Sequence, residues 1–317
     1  MKLGASYPNT QIGNDPIAIK DYAQALEGAG YDYLQCPTHD LGAHPDRFGP
    51  PPFKFRPENS GNTYTYETPW HELLILYTYL AAHTTTIKFV PTVIYLAQRQ
   101  VALVAKQMAE MDILSGGRLQ PMFGTGWNFT EYEALGMDWE TRAERMDEDL
   151  KVLKLLWSQP VVEFHGNQVV IDRMGINPLP ATQPLPIWYA GSARNVVLKR
   201  AAELCDGFYS LLIPPEEPRM AAERLQKHVK AAGKEIGKNF DLVGTTRRTS
   251  DTSAPPPPPP GSMSTSLYQG DWLDRAKTWK ELGATHLTVG SSAGDLKEML
   301  RLSIESKKIL EEEGLAG

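Results

Sequence analysis

The chain has 317 residues, of which 41% are hydrophobic, and a formal net charge of −6 at pH 7, so it can form a substantial core. The acidic balance argues against a nucleic-acid-binding protein, no apolar run approaches the ~20 residues that span a bilayer, and the N-terminus shows no apolar signal-peptide segment. Two cysteines are too few for a disulfide framework, so we expect a reduced, cytoplasmic protein. From the charge and the apolar runs we expect contact with neither nucleic acid nor membrane.

Short apolar segments alternate with longer segments of helical periodicity along the chain. The apolar segments predict strands at 2–7, 33–37, 87–93, 119–124, 186–191, 207–212, 240–246 and 286–290. The periodic segments predict helices at 16–29, 69–83, 98–114, 140–158, 193–205, 215–232, 270–283 and 293–312. This alternation favours an α/β fold, a (β/α)₈ TIM barrel forming a single domain over residues 1–317. A doubly wound open sheet is the structural alternative.

Three stretches interrupt the alternation and predict insertions into the barrel. Residues 41–68 are rich in Pro, Gly and Asn and follow the second strand, on the side where barrel active sites lie. Residues 161–182 contain two short strand-like pieces and predict a hairpin. Residues 250–266 contain six consecutive prolines and predict an exposed polyproline II segment, which is either a tolerated loop insertion or a partner-docking motif.

The residue types at the predicted strand ends exclude several kinds of chemistry. The histidines show neither His-x-His nor His-Glu-x-x-His spacing, so no preformed metal site is expected. No pair of carboxylates faces the predicted site, which argues against glycoside hydrolysis, and a Gly-x-Ser-x-Gly elbow is absent. Glycines, hydroxyls, aromatic residues and one histidine remain. This set suits the binding of a flat, phosphorylated cofactor that performs the chemistry itself.

Two glycine-containing turns are candidates for binding such a cofactor. In FGTGWNFTEYEALG (123–136), a dinucleotide fingerprint would require a third glycine, but position 129 is Phe. Gly124 and Gly126 are instead interpreted as a strand end close to a flat ring, and an ordinary glycine turn before a short capped helix is the alternative. In AGSARNVVLKRAAE (190–203), Ser192 either helps a helix N-terminus to bind phosphate, with Arg194 adding charge, or is an ordinary N-cap.

His39 follows the second strand and is the candidate proton donor. A lone histidine is more often structural, but a histidine at a strand's C-terminal end can donate a proton or stabilise charge near neutral pH. The adjacent Asp40 is either a helper or a solvated turn residue.

Several segments resemble the luciferase-like monooxygenase superfamily in order and spacing, and more narrowly its bacterial coenzyme F-420-dependent oxidoreductase subgroup. The segments are PTVIYLAQRQVALVAKQMAEMDILSGGRLQ (91–120), FGTGWNFTEYEALGMDW (123–139), ERMDEDLKVLKLLW (144–157), PIWYAGSA (186–193) and DGF (206–208). The resemblance extends from about residue 2 to residue 310. It implies a TIM barrel with FMN or coenzyme F-420 at the C-terminal end of the strands.

The resemblance also implies roles for residues at matching positions. It implies a non-proline cis peptide at Thr92–Val93 behind the cofactor ring, and His39 near the reacting ring carbon. The other implied or inferred cofactor-site residues lie after the fourth and fifth strands: Gly124, Gly126, Trp127, Asn128, Tyr132, Ala190, Gly191, Ser192 and Arg194. Two departures bear on these roles. Relatives commonly carry Asp where Thr38 precedes the histidine, and a glycine where Ala190 stands.

The leading hypothesis is hydride transfer between coenzyme F-420 and a small organic substrate, covered by loop 41–68 with His44, Phe53 and Phe55. One alternative is an FMN-dependent monooxygenase that uses O₂. Another is a barrel that binds a ligand without turnover, which the two departures motivate. Family members often form homodimers through barrel helices, although no feature of this sequence demonstrates a dimer.

Overall fold

The computed structural model describes residues 1–44, 47, 64–212, 218–250 and 271–317. Its strands are β1 (Lys2–Ser6), β2 (Tyr33–Cys36), β3 (Lys88–Pro91), β4 (Ile94–Tyr95), β5 (Met122–Gly124), β6 (Val162–His165), β7 (Val170–Met174), β8 (Trp188–Ser192), β9 (Gly207–Leu212), β10 (Asp241–Thr249) and β11 (His286–Ser292). Its α-helices are α1 (Pro16–Gly28), α2 (Leu73–Ala81), α3 (Val101–Leu114), α4 (Phe129–Ala134), α5 (Arg142–Ser158), α6 (Asn195–Leu204), α7 (Pro218–Ala231), α8 (Trp272–Glu281) and α9 (Leu296–Glu312).

The main sheet is parallel and closes on itself. Its strand order is β3-β2-β1-β11-β10-β9-β8-β5-β4, and the two terminal members, β3 and β4, are halves of one strand separated by Thr92 and Val93. A bridge between Phe89 and Leu119 joins the β3 half to the segment that leads into β5. Eight barrel strands therefore alternate with helices, which confirms the predicted TIM barrel and excludes the open doubly wound sheet.

The predicted elements are confirmed, but several helices begin and end inside the predicted ranges. The helix predicted at 69–83 is the nine-residue α2, and its first turn is set by Glu72, whose side chain accepts a hydrogen bond from the N–H of Ile75. At α1, the Asp15 side chain accepts from the N–H of Ile17 and proline occupies the first turn. Such caps satisfy N–H groups that have no partner within the helix, and they fix its start.

Residues of segment 91–120, one of the segments that carry the sequence resemblance, hold the barrel wall together. Arg118 donates hydrogen bonds to the carbonyl oxygens of Ala81 and Ile87 and to the Thr84 hydroxyl, so it joins the end of α2 to the start of β3. Asp112, which is fully buried, accepts the N–H of Thr182. These groups lie at the N-terminal side of the strands, away from the predicted site.

The predicted insertions have different outcomes. The hairpin is confirmed, because β6 and β7 pair antiparallel between Val162 and Met174. Residues 45–46, 48–63 and 251–270 lie outside the described residues, so the hexaproline segment and the Phe53 and Phe55 predictions remain predictions. The helices of the described ranges are too short or too polar to cross a membrane.

Gly4 on β1 allows the aromatic ring of Tyr33 to lie inside the barrel. A Cβ at Gly4 would fall 2.0 Å from Cε2 of Tyr33, and the Tyr33 hydroxyl is 3.0 Å from the Thr288 hydroxyl across the barrel. Gly4→Ala is therefore expected to lower the free energy of unfolding by about 1–3 kcal/mol through overpacking. Urea denaturation measures the change.

Gly28→Ala is the matched control, because nothing lies within 4 Å of a Cβ at that helical position. Alanine is the better helix former, so this variant should be neutral or gain about 0.5–1 kcal/mol. Equal stability of the two variants would contradict the assignment of Gly4 to the barrel packing.

The Asp149 carboxyl on α5 is a source of pH-dependent stability. Asp149 is buried and its Oδ2 has no hydrogen-bond partner within the described ranges. Burial raises the pKa of this carboxyl to about 7, although Arg145 acts in the opposite direction. Because the unfolded-state pKa is about 3.9, the protonated carboxyl stabilises the fold at low pH, and this contribution is lost as the pH rises through 7.

Asp149→Asn is expected to become progressively more stable than the parent protein between pH 4 and pH 7. The slope of the difference should be roughly 1.4 kcal/mol per pH unit at most. Urea unfolding of both proteins at pH 4.5 and pH 8 measures it. Asp172→Asn, at an exposed hairpin position, is the control. A difference between Asp149→Asn and the parent that is constant over this range would rule out the explanation.

Candidate active site

The predicted site residues come together at the C-terminal mouth of the barrel. His39 follows β2, the Thr92–Val93 pair separates β3 from β4, Gly124 ends β5, and Gly191 and Ser192 end β8. Parallel strands place all these carboxyl ends at the same rim. The peptide bond between Thr92 and Val93 is cis, as the sequence resemblance implied.

His39 is held by a buried carboxylate from α4. Its Nδ1 lies 3.2 Å from both carboxylate oxygens of Glu131, and Glu131 is fully buried. Glu131 Oε1 also accepts the backbone N–H groups of Asp40 and Leu41, at 3.0 and 3.3 Å. The carboxylate therefore fixes both the imidazole and the backbone that carries it.

The hydrogen-bonding pattern assigns the two imidazole nitrogens of His39. A carboxylate only accepts hydrogen bonds, so Nδ1 carries a proton and donates it to Glu131. Nε2 is then the nitrogen that can exchange a proton with a ligand. It lies 3.4 Å from the Tyr95 hydroxyl, which burial keeps protonated by raising its pKa.

Four aromatic rings surround the imidazole of His39. Tyr64 stacks on it with ring centroids 3.9 Å apart, and Trp70, Tyr95 and Trp127 approach at 5.3, 5.2 and 5.8 Å. As a result His39 is only 9% exposed. This enclosure keeps water from the imidazole, and electrostatic interactions are stronger in such surroundings.

Asp40 belongs to a neighbouring ion-pair group and does not contact the imidazole as a helper would. Arg99 binds its carboxylate and also lies 3.4 Å from Glu72. Burial raises the pKa of Asp40, and the Arg99 guanidinium acts against this shift. The side chain is only 20% exposed, so the interpretation of Asp40 as a solvated turn residue is wrong.

Some buried polar atoms near the mouth have no protein partner within the described ranges. These atoms are both amide atoms of Gln98, the Thr38 hydroxyl and the Trp70 indole N–H. Buried polar groups are normally hydrogen-bonded, because an unpaired one costs about 1–3 kcal/mol. A bound polar ligand at this mouth would offer such groups partners.

The two glycines of the FGTG turn are explained first by protein packing. A Cβ at Gly124 would lie 3.0 Å from Cγ2 of Val93. Gly126 has a φ of 83°, which side-chain-bearing residues adopt at a cost. The following residues form α4, which Asn128 caps by accepting the N–H of Thr130.

The aromatic and amide residues after this turn differ in their access to a ligand. Trp127 is half-buried beside His39, whereas Tyr132 is fully buried and donates its hydroxyl proton to the Thr125 carbonyl. Asn128 donates to the Tyr64 hydroxyl. Tyr132 and Asn128 therefore support the residues around the site, and direct contact of either with a cofactor remains a prediction.

The turn after β8 presents a helix N-terminus to the mouth. Ser192 is the last residue of β8, and Arg194 stands at the N-cap position of α6 without a side-chain capping hydrogen bond. The alternative of an ordinary serine N-cap is therefore wrong. In the described part of the chain no side chain caps the first turn of α6, so phosphate binding at this terminus remains a prediction.

Sequence reasoning missed the contact between Glu131 and His39. Tyr64, Trp70 and Tyr95 were not singled out as neighbours of the imidazole either. A clue for Glu131 existed, since the short helix directly after a candidate strand end carries two carboxylates, Glu131 and Glu133. Its partner is 92 residues away in the sequence, so no local pattern reveals the pairing.

The closed barrel and the residues gathered at this mouth define a (β/α)₈ protein with a candidate active site at the C-terminal rim. The chain belongs to the luciferase-like monooxygenase family, whose model matches residues 1–249. An uncharacterized protein of Mycobacterium tuberculosis is 32% identical over 216 residues, covering 68% of this chain and 71% of that protein. The predicted superfamily and oxidoreductase class are confirmed.

Two further relatives are a reductase and a monooxygenase, and the name of the monooxygenase gives a flavin cofactor. A 5,10-methylenetetrahydromethanopterin reductase of Archaeoglobus fulgidus is 29% identical over 197 residues, and the match covers 61% of this chain and 58% of the reductase. An FMNH₂-dependent dimethylsulfone monooxygenase of Pseudomonas putida is 30% identical over 112 residues, or 34% of this chain and 31% of that protein.

Solved structures share the fold along nearly the whole chain. A coenzyme F-420-dependent secondary alcohol dehydrogenase, solved with an F-420-acetone adduct, has a TM-score of 0.70 at 16% identity, with 96% and 97% of the two chains covered. A riboflavin lyase with modified FMN has a TM-score of 0.72 at 16% identity, with 100% and 92% covered.

Proposed function

We propose that the protein transfers a hydride between coenzyme F-420 and a small organic substrate, with His39 exchanging the accompanying proton. The observation that carries this proposal is the imidazole of His39, fixed through Nδ1 by Glu131 at the barrel mouth. Bound coenzyme F-420 supplies two-electron hydride chemistry. The protein must then provide a site, exclude water and exchange one proton.

The residues at the mouth fit a phosphorylated tricyclic cofactor. Ala190, Gly191 and Ser192, with the uncapped N-terminus of α6, would hold its phosphate. Thr92 and Val93 would contact its ring system, together with Gly124, Gly126 and Trp127. Arg194 donates from Nε to the Ser192 hydroxyl at 3.3 Å, so its charge lies beside the proposed phosphate position.

The residues around His39 would orient the imidazole and exclude water during the proton exchange. Glu131 holds Nδ1–H, so Nε2 is the atom that gives or takes the proton. When Nε2 carries no proton, it accepts a hydrogen bond from the Tyr95 hydroxyl. The enclosing aromatic rings limit competing proton exchange with water.

The contact between the Glu131 carboxylate and His39 changes the interpretation of Thr38. Relatives commonly have an acidic residue directly before this histidine, and its absence motivated the alternative of a barrel without turnover. Glu131 supplies a carboxylate from another element, in direct contact with the imidazole. The departure at Thr38 therefore no longer argues for that alternative.

An FMN-dependent monooxygenase is the second candidate, because an FMNH₂-dependent relative matches part of the chain. Binding titrations with purified coenzyme F-420 and with FMN, followed by their visible absorption, separate the two. We expect saturable binding of F-420 at micromolar concentration and weaker binding of FMN. Tight FMN binding without F-420 binding would overturn the preference, and binding of neither would overturn both.

A further inference from the structure

We propose that the opposite, N-terminal mouth of the barrel binds a small hydroxyaromatic carboxylate, at a site separate from His39. A cavity of about 540 Å³ opens there, within the size range of small-molecule sites. It is lined by residues at the beginnings of several barrel strands, among them Lys2, Lys88, Gln120, Trp188 and His286. This inference does not depend on the proposed function.

Two lysines in the cavity lining, Lys2 and Lys88, indicate that the ligand carries an anionic group. Within the described ranges, the ammonium groups of Lys2 and Lys88 form no hydrogen bond or ion pair, although both residues line the cavity. Register places Lys2 beside His286 on β11, and Lys88 beside Tyr33 on β2. One strand separates the two lysines, so the ammonium groups can converge on one carboxylate.

The carboxylates of the cavity wall already accept hydrogen bonds from the protein, which reduces their capacity to bind a cationic ligand. One oxygen of Glu27 accepts the N–H groups of residues 85–87. Asp32 accepts the N–H of Leu3 at 2.7 Å. Asp241 accepts the Trp188 indole N–H at 3.1 Å and the Thr285 hydroxyl at 2.9 Å. Six ammonium N–H donors of the lysines remain available.

The aromatic rings in the floor of the cavity indicate that the ligand contains an aromatic ring. The rings of Trp188 and His286 are 4.7 Å apart between centroids, and Tyr33 and Trp188 are 6.2 Å apart. All three are buried, so their positions are fixed, and the rings form an aromatic floor beside the lysines. A planar ring gains more from this surface than an aliphatic chain of similar size.

The second polar group of the ligand, a hydroxyl, is indicated by the hydrogen bonding of His286. Its Nδ1 lies 2.8 Å from the Thr285 hydroxyl, which itself donates to Asp241 or to the Leu242 carbonyl. Nδ1 therefore carries the proton of the neutral ring, which leaves Nε2 as an acceptor with no partner in the described part of the chain. Burial lowers the pKa of His286, so the ring is neutral at pH 7. A ligand O–H group would satisfy Nε2.

Isothermal titration calorimetry with 4-hydroxybenzoate as the probe tests the site. We expect saturable binding, weaker binding of benzoate, which lacks the hydroxyl, and none of tyramine, which carries a cation. Lys2→Met and Lys88→Met should each weaken 4-hydroxybenzoate binding about tenfold, with unchanged circular dichroism. His39→Ala should bind the probe as the parent does, because His39 lies at the other mouth.

Three results would overturn the proposal: no saturable heat at millimolar 4-hydroxybenzoate, unchanged affinity in both lysine variants, or loss of binding in His39→Ala. The last would place the probe at the C-terminal mouth. Tighter binding of tyramine would also overturn it, because the acidic wall would then dominate recognition. Each readout is independent of coenzyme F-420 turnover.

Discussion

His39→Ala is expected to lower kcat by about 10²- to 10⁴-fold, the range for loss of a general acid–base group, while cofactor binding persists. Imidazole Nε2 is the proposed proton-exchanging atom, and alanine leaves no titratable group in its place. Steady-state rates with coenzyme F-420 and a panel of small alcohols measure the effect, and the visible cofactor titration measures binding.

His83→Ala is the control for this experiment, since His83 is exposed after α2, on the side of the barrel where β3 begins. It should leave kcat unchanged. Full activity of His39→Ala would remove the proposed proton-exchange role. Loss of cofactor binding would instead make His39 a binding residue.

Glu131→Gln is expected to reduce kcat by about 10- to 100-fold, the typical effect of losing a partner that orients a functional histidine, as known for metal sites. Glutamine has nearly the same shape, so it can keep one acceptor for the N–H groups of Asp40 and Leu41. It removes the charge that faces Nδ1, and its amide can favour the wrong tautomer of His39. KM and cofactor binding should change little.

Two further variants separate positioning from a purely structural role of Glu131. Glu131→Asp keeps the charge and should recover part of the lost rate. Glu133→Gln changes an exposed carboxylate on the same short helix and should be silent. If Glu131→Gln loses thermal stability but keeps kcat, the carboxylate only supports the backbone after β2.

The sequence predicted the barrel because its information is local and repeated. Strand and helix signals such as the apolar period of α3 depend on neighbouring residues, and their alternation admits few folds. The cis bond at Thr92–Val93 was implied by the resemblance. Segment 91–120 also carried the resemblance, but the contacts of its Asp112 and Arg118 are those of the barrel wall.

The pairing of His39 with Glu131 could not be predicted in the same way. Thr38 stands where relatives commonly carry an acidic residue, and among the adjacent residues only Asp40 was a candidate helper. The neighbour comes from α4, and the pairing of the β3/β4 strand with both β2 and β5 brings these two strand ends together at the mouth. Likewise, the enclosure by Tyr64 and Trp70 depends on chain segments that converge only in the folded protein.

By itself, the sequence determined the element order, the barrel and the family, because these follow from periodicity and from motifs within short windows. The tertiary structure alone decided which nitrogen of His39 faces the site, that Ser192 leaves the α6 terminus uncapped, and that Lys2 and Lys88 share a cavity with Trp188. The physical reason is that hydrogen bonds and charge interactions act over a few ångströms in space, whatever the distance along the chain.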